Sequence, residues 1–350
     1  MSDITTVDSN FKVETNIRKD DLKFCDAKQE PFGLHGVFYE NGMFRRTPEQ
    51  VARSISQGLI FTHSNTAGGR VRFRTDSPYV AIHAEMPAIA KMPQVTMIGS
   101  AGFDLYVKEA GEQKYVETFM PPFDIENGYE SVIDFGSAKM REITIYLPIY
   151  SNITCLLVGL AEQASLCPPI PYKTQTPVVY YGSSITQGGC ASRPGNAYES
   201  IVSRKLDCDF INLGFAGSAM GETEIADYIK SLRMSAFVFD YDHNSPSVEH
   251  LAATHQRMFR QIRSENPNLS ILILSRPKYS LTNEELRRRE VIEKTYTDAK
   301  ASGDAHVYFI DGPELMLLAG NDGTVDNCHP NDLGFASMAL AVAKVLEQLL

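Results

Sequence analysis

From about Gly33 to Leu160 the chain alternates apolar and polar residues with a period of two. Val71 and Phe73 alternate with Arg70, Arg72 and Arg74. Val80, Ile82 and Ala84 form a second series, Phe103, Leu105 and Val107 a third, and Ile143, Ile145 and Leu147 close it. Turn signals fall between them: Ala67-Gly68-Gly69, Asp76-Ser77-Pro78, Glu109 to Gly111 and Glu126-Asn127-Gly128. Half-buried strands at this spacing predict an antiparallel, jelly-roll-like β-sandwich. One helix is expected within it, near Thr47 to Gln57, with Thr47-Pro48 as cap and leading proline. Residues 1–30 are polar and irregular and read as an arm lying on another part of the molecule.

The pattern changes after residue 177. Short apolar runs alternate with amphipathic stretches: Val178 to Tyr181, a helix over Ala197 to Leu206 capped by Asn196, a strand Phe210 to Leu213, a helix Glu222 to Leu232 and a strand Ala236 to Tyr241. The next helix, near Val248 to Ser264, carries Val248, Leu251, Ala252, His255, Met258, Phe259 and Ile262 on one face. Strand Ile271 to Ser275, helix Asn283 to Ala301, strand Val307 to Ile310, a short helix from Pro313 and a helix Asp332 to Leu350 complete the series. Strand–helix alternation of this kind predicts an α/β fold with a doubly wound, parallel, five-stranded sheet. The expected organisation is a sandwich domain over 1–165 and an α/β domain over 175–350. They are joined by the proline-rich crossover around Cys167-Pro168-Pro169-Ile170-Pro171, too short for a free linker.

Composition narrows the function. At 350 residues with 33 basic and 43 acidic side chains, the chain has a net charge of −10. That balance argues against a nucleic-acid or anionic-membrane surface as partner, and no apolar run approaches the length of a spanning helix. The polar start Met1 to Asn10 has no signal-peptide pattern. The chain as written reads as cytoplasmic, with export open if a leader precedes it. The six cysteines are scattered without CxxC spacing, which suggests reduced thiols and gives no zinc signal.

The candidate chemistry centres on Gly182-Ser183-Ser184, where a buried strand runs into a tight turn. Ligands gather at that edge of an open α/β sheet, so a Ser184 hydroxyl there is a candidate nucleophile. Asp326-Asn327-Cys328-His329-Pro330 lies between the last strand and the last helix, at the same edge. His329 is then a candidate base for Ser184, with Asp326 fixing its tautomer. Backbone N–H groups in Asn212 to Gly217 and the Asn244 side chain are candidate oxyanion donors. The second glycine of G-x-S-x-G is missing, which disfavours an α/β-hydrolase turn, and no lysine follows Gly188 or Gly189 as a phosphate loop requires. His243 and Arg276 sit near the same edge as possible substrate contacts. Asp240 and Asp311 compete with Asp326 as the acid. His250 and His255 read as structural, His35, His63 and His83 lie in the sandwich with no partner pattern, and Cys328 reads as a packing residue.

Together, Gly182-Ser183-Ser184, Gly217, Asn244 and Asp326-x-x-His329 resemble the SGNH (GDSL-type) hydrolases over residues 177–350. In front of them, Gly102-Phe103-Asp104-Leu105-Tyr106 looks like the GxDLY signature of a β-sandwich that precedes some SGNH-type esterase domains. The resemblance implies Ser184 as nucleophile, His329 as base and Asp326 as its orienting acid. It also implies an oxyanion hole from the Ser184 and Gly217 N–H groups and the Asn244 amide. Three positions depart from the family pattern: Ser183 for the usual Asp, Asp242 for a Gly, and Ser245 where an Asp is common. The implied activity is a serine esterase that acts without metal or cofactor on a small-molecule or oligosaccharide ester, with a small, acetyl-sized acyl group. A lipase or acyl-thioesterase, and a catalytically silent glycan binder, are the alternatives. Asp104 and Tyr106 are expected to stabilise the sandwich internally.

Overall fold

The structure is a computed structural model and describes residues 8, 13 and 16–350. The first half forms two antiparallel sheets face to face. One runs in the order Leu22–Asp26, Cys155–Ala161, Tyr79–Glu85, Gly128–Asp134. The other runs Leu166–Cys167, Arg70–Thr75, Arg141–Tyr146, Phe103–Glu109, Glu112–Phe119, with Gly33–His35 added beside Arg70–Thr75. The alternation decides which side chains meet. Val80, Ile82, Val158 and Leu160 from the first sheet and Val71, Phe73, Leu105, Ile143 and Ile145 from the second share one buried core. This is a sandwich.

The second half is a parallel sheet in the order Cys208–Gly214, Thr174–Gly182, Ala236–Asp240, Ser270–Leu274, Val307–Ile310. Such strands are buried on both faces and read as continuous apolar runs, and Val178, Val179, Tyr180 and Tyr181 are all fully buried. Val178 and Tyr180 face a core closed by helices Tyr198–Leu206 and Asp332–Leu346. Val179 and Tyr181 face the opposite core, under helices Thr223–Ser231, Val248–Glu265 and Asn283–Ala301. Helices therefore cover both faces, the doubly wound arrangement expected.

Of these five strands the first in chain order, Thr174–Gly182, lies second in the sheet. The chain passes from it to Cys208–Gly214 on one side, then back across to Ala236–Asp240 on its other side. A crevice opens at the carboxyl end of a strand at such a switch point, and Ser184 follows that strand directly.

Several local expectations are corrected. The arm over residues 1–30 falls partly outside the described residues, and its later part is ordered: Leu22–Asp26 pairs antiparallel with Cys155–Ala161. The alternation Leu22, Phe24 was too short to stand out against its polar neighbours. The helix near Thr47 to Gln57 is two short helices, Glu49–Ile55 and Gln57–Thr62. Ser56 breaks them apart with extended backbone, then caps the second by accepting from Leu59 N–H. The cap of Tyr198–Leu206 is Ala197, not Asn196. The Asn196 amide is engaged elsewhere, donating to Asp332 at 2.8 Å. The last helix ends at Leu346, before the terminal residues.

Candidate active site

Ser184 opens the short helix Ser184–Gln187 immediately after the strand Thr174–Gly182. Two glycines let the turn sit against the sheet. A Cβ on Gly182 would lie 2.3 Å from the Asp240 carbonyl oxygen, and one on Gly214 would lie 2.1 Å from Gln187 N. Ser183 caps the helix, its hydroxyl accepting from Ile185 N–H at 3.1 Å. It fills the capping role that an Asp at that position would serve, so this departure from the family pattern has a physical explanation.

The loop before the last helix brings His329 to Ser184. Its frame is an antiparallel bridge between Thr324 and Pro330, with Val325 N–H donating to the His329 carbonyl at 2.8 Å. Asn327 turns the loop in the left-handed region, at φ +64°. Ser184 Oγ lies 2.9 Å from His329 Nε2, and His329 Nδ1 lies 2.8 Å from Asp326 Oδ2. The other Asp326 oxygen accepts from the Cys328 and His329 backbone N–H groups at 3.1 and 2.8 Å. Partial burial alone would push the Asp326 carboxyl up. The bonds from His329 and Cys328 outweigh that and hold it below the ordinary Asp range. Asp326 therefore presents a carboxylate to the imidazole. With Nδ1–H directed at it, Nε2 is the lone-pair nitrogen that faces the hydroxyl.

Ser184 and His329 open onto a cleft of roughly 400 Å³, also lined by Gly217, Asn244, His243, Arg276 and Cys328. Gly217 has φ +67° and open space where a Cβ would be. Asn244 donates one amide hydrogen to the Phe215 carbonyl at 2.8 Å, which fixes its orientation and leaves a second donor. The loop that carries Gly217 is held from below, where Ala216 N–H donates to the buried Gln187 side chain at 2.9 Å.

The remaining candidates separate cleanly. His243 lines the cleft, with Nδ1 buried and unpartnered. Burial, together with Arg276, His329 and Arg288, pushes its pKa down to about 3 against the pull of Asp242, so it stays neutral. Arg276 also lines the cleft, but its guanidinium grips Asp242 at 2.9 and 3.2 Å and reaches Glu285 at 3.3 Å. Asp242, the second departure, thus serves as counter-ion for Arg276 and for Arg288, 2.9 Å away. Asp240 is buried under the turn, accepting from Thr186 Oγ1 at 2.9 Å and Tyr198 at 3.3 Å. Asp311 accepts from Ser275 at 2.7 Å and pairs with Arg289. His255 stacks on Phe239 and bonds Thr295 inside the core. Cys328, expected as packing, forms part of the cleft wall.

The sequence reading missed the sandwich's share of the cleft: Met92, Gln94, Val95 and Tyr150. They sit on connections between strands, with no motif, and only the docking of the two halves brings them to Ser184. It also misjudged Asp104 and Tyr106. Asp104 does accept from Thr118 within the sandwich at 2.7 Å. Its other oxygen, however, accepts from Arg193 and Gly195 N–H of the second half, at 2.8 and 2.7 Å. The Tyr106 hydroxyl accepts from Arg193 at 2.7 Å. Among the described residues no cluster of His, Cys, Asp and Glu could hold a metal ion, and no helix is long and apolar enough to cross a membrane.

Comparison with known proteins bears on this geometry. Residues 175–347 match the GDSL-like lipase/acylhydrolase family. Residues 22–166 match the GxDLY family, the N-terminus of SGNH-hydrolase-type esterases. No curated protein matches the chain. Among solved structures, a candidate GDSL-like lipase from Bacteroides ovatus superposes with a TM-score of 0.82 at 27% identity, over 93% of this chain and 98% of that one. A salicylyl-acyltransferase of a tetracycline biosynthetic pathway gives 0.74 at 20% identity, over 95% and 98%. A family two carbohydrate esterase from Clostridium thermocellum, solved with cellohexaose, gives 0.59 at 14% identity, over 81% and 93%. The last two share the fold with this chain, both halves included.

Proposed function

Since the chain belongs to the GDSL-like lipase/acylhydrolase family, with the N-terminus of SGNH-type esterases ahead of it, we propose that it is a serine esterase that removes a small acyl group, acetyl above all, from a carbohydrate ester. The observation that carries this reading is the relay from Asp326 through His329 to Ser184, with contacts of 2.8 and 2.9 Å, at the mouth of a cleft. In the proposed reaction His329 Nε2 takes the Ser184 proton as Oγ bonds to the ester carbon. The oxyanion rests on the Ser184 and Gly217 N–H groups and the free Asn244 amide hydrogen. His329 then returns the proton to the departing sugar hydroxyl, leaving an acyl-serine. Water, deprotonated by the same imidazole, adds to the acyl carbon; the carbon–Oγ bond breaks as His329 returns that proton to Ser184 Oγ, and the acid leaves.

The character of the cleft supports a small, neutral substrate. Its volume suits a short acyl group with a ring-sized alcohol, and Arg276, which lines it, is already paired with Asp242 and Glu285. Fold analogy with carbohydrate esterases points the same way, with the weight that analogy carries. The test is acetate release from a panel of acetylated oligosaccharides, set against long-chain esters and acyl-CoA. Preferential release from the sugars, lost by at least about 10³-fold in Ser184→Ala, is the expected result. Preference for long chains makes the protein a lipase or thioesterase. Sugar binding with no turnover of any ester makes it a silent glycan binder.

A further inference from the structure

The segment 188–196 bonds Ser184 itself and Asp332, just past His329. At its start, Gly188 and Gly189 N–H donate to the Ser184 carbonyl at 3.1 and 2.8 Å. At its far end, Ser192 and Asn196 hold Asp332, three residues beyond His329. Ser192 N–H and Oγ reach the Asp332 carboxylate at 2.8 and 2.5 Å, and the Asn196 amide reaches it at 2.8 Å. Between these ends the segment forms part of the cleft wall through Gly189 and Cys190. It is a strap tying the hydroxyl's turn to the imidazole's loop.

One side chain of the other half pins the strap at Arg193 and Gly195, between Ser192 and Asn196. Asp104 is fully buried, and one of its oxygens accepts from Arg193 and from Gly195 N–H. Arg193 also bonds Tyr106 and lies 3.9 Å over the Tyr115 ring. The fit at Gly195 is close: a Cβ there would stand 2.6 Å from the Tyr106 hydroxyl and 2.8 Å from Asp104 Oδ2. A buried carboxylate is costly unless charge-assisted bonds satisfy it. The strap supplies two of the three bonds that Asp104 accepts.

We propose that Asp104, at the centre of the sandwich's Gly102-Phe103-Asp104-Leu105-Tyr106 motif, is a positioning residue that sets the Ser184–His329 geometry through the strap 188–196. It touches neither substrate nor the reacting atoms. It fixes Arg193 and Gly195, and through Ser192 and Asp332 it fixes the approach of the His329 loop. The sandwich is on this view part of the catalytic framework. The inference rests on the esterase reading for its activity arm and on the coordinates alone for its exchange arm.

The test compares Asp104→Asn, Ser192→Ala and Ile133→Ala, the last a core substitution in the sandwich away from the strap. Two quantities are read: kcat and KM on p-nitrophenyl acetate, and hydrogen–deuterium exchange of peptides covering 188–196 and 324–331. Asp104→Asn and Ser192→Ala should lower kcat roughly tenfold or more, the scale of a slightly misplaced reacting group, with KM within about threefold. Both should speed exchange in the two segments. Ile133→Ala should lower the melting temperature and leave kcat and both segments unchanged. A folded Asp104→Asn protein with kcat within about twofold of wild type and unaltered exchange at 324–331 overturns the proposal. So does an equal loss of kcat in Ile133→Ala. If Asp104→Asn does not fold, Ser192→Ala decides by the same readouts. A wild-type protein without ester turnover defeats the esterase reading, and the exchange arm still decides whether the strap couples the two segments.

Discussion

Asn244 hydrogen-bonds the Phe215 carbonyl with one amide hydrogen, and that bond aims the other at the cleft. Asn244→Ala should therefore lose roughly 10²–10³-fold in kcat with little change in KM, the usual weight of one oxyanion donor. A loss under about threefold in steady-state kinetics places the donor elsewhere. Asp240 gives a prediction in pH. Burial, with a smaller push from Asp242, raises it to about 7 despite the bonds from Thr186 and Tyr198. The unfolded group titrates near ~3.9. Between these values the native state keeps a proton that the unfolded chain sheds, so stability from this group falls as pH rises from about 4 to about 7. Asp240→Asn still accepts from Thr186 and Tyr198 but loses the titration. It should match wild type near pH 4 and exceed it at pH 8 by roughly 2–4 kcal/mol, as read by urea unfolding. Equal stability at both pH values would show that Asp240 carries no such shift. Ser184 was legible as a candidate because it follows a recognisable strand end, and Asp326 and His329 because they form a short motif just before the last helix. Met92 and Tyr150 were not, because nothing local marks a loop residue that meets the cleft only through tertiary docking. Asp104 was legible as a motif and as a sandwich contact, yet its second partner Arg193 lies 89 positions away, so the bond to the other half was not foreseen.

At the scale of elements, the strand–turn–helix around Ser184 depends on glycines of two kinds. Gly214 is glycine for want of room: a Cβ would meet the backbone of Thr186 and Gln187 at 2.4 and 2.1 Å. Gly214→Ala should cost about 3 kcal/mol or more, with loss of turnover, because the helix carrying Ser184 must move. Gly217 is glycine for its backbone angle, with open space around it. Gly217→Ala should cost only about 1–2 kcal/mol and keep most of its turnover, since the N–H remains. Chemical denaturation of the pair checks the contrast, and equal costs would refute it. Element boundaries were least legible where side chains had rival partners. Asn196 is a good cap by type, but Asp332 offered it a charged acceptor. Ser56 split a helix that apolar spacing alone left whole.

At the scale of the molecule, the two halves share buried polar contacts that neither can satisfy alone. Arg46 is buried and donates to the Gly214 carbonyl at 2.6 Å and to the Asn212 carbonyl at 3.1 Å. Asp209 takes both His35, at 2.9 Å, and Arg70. Cutting the chain strands these groups, and an unpaired buried charge is strongly destabilising. Residues 170–350 expressed alone should fail to fold or should lack ester turnover; a soluble, active fragment would show that the sandwich is dispensable. The alternation of periods made both sheets legible in sequence, two for the sandwich and strand–helix for the rest. Their mutual orientation was not, because it depends on single buried side chains such as Arg46, whose partners in the other half are more than 160 residues away. In the proposed reaction His329 makes the Ser184 hydroxyl nucleophilic at the mouth of this cleft. Mass-spectrometric mapping of a fluorophosphonate adduct tests it most directly. One adduct is expected on the peptide bearing Ser184, absent in Ser184→Ala and formed far more slowly in His329→Ala. A folded protein that stays unmodified, or that carries the adduct on another residue, would contradict it.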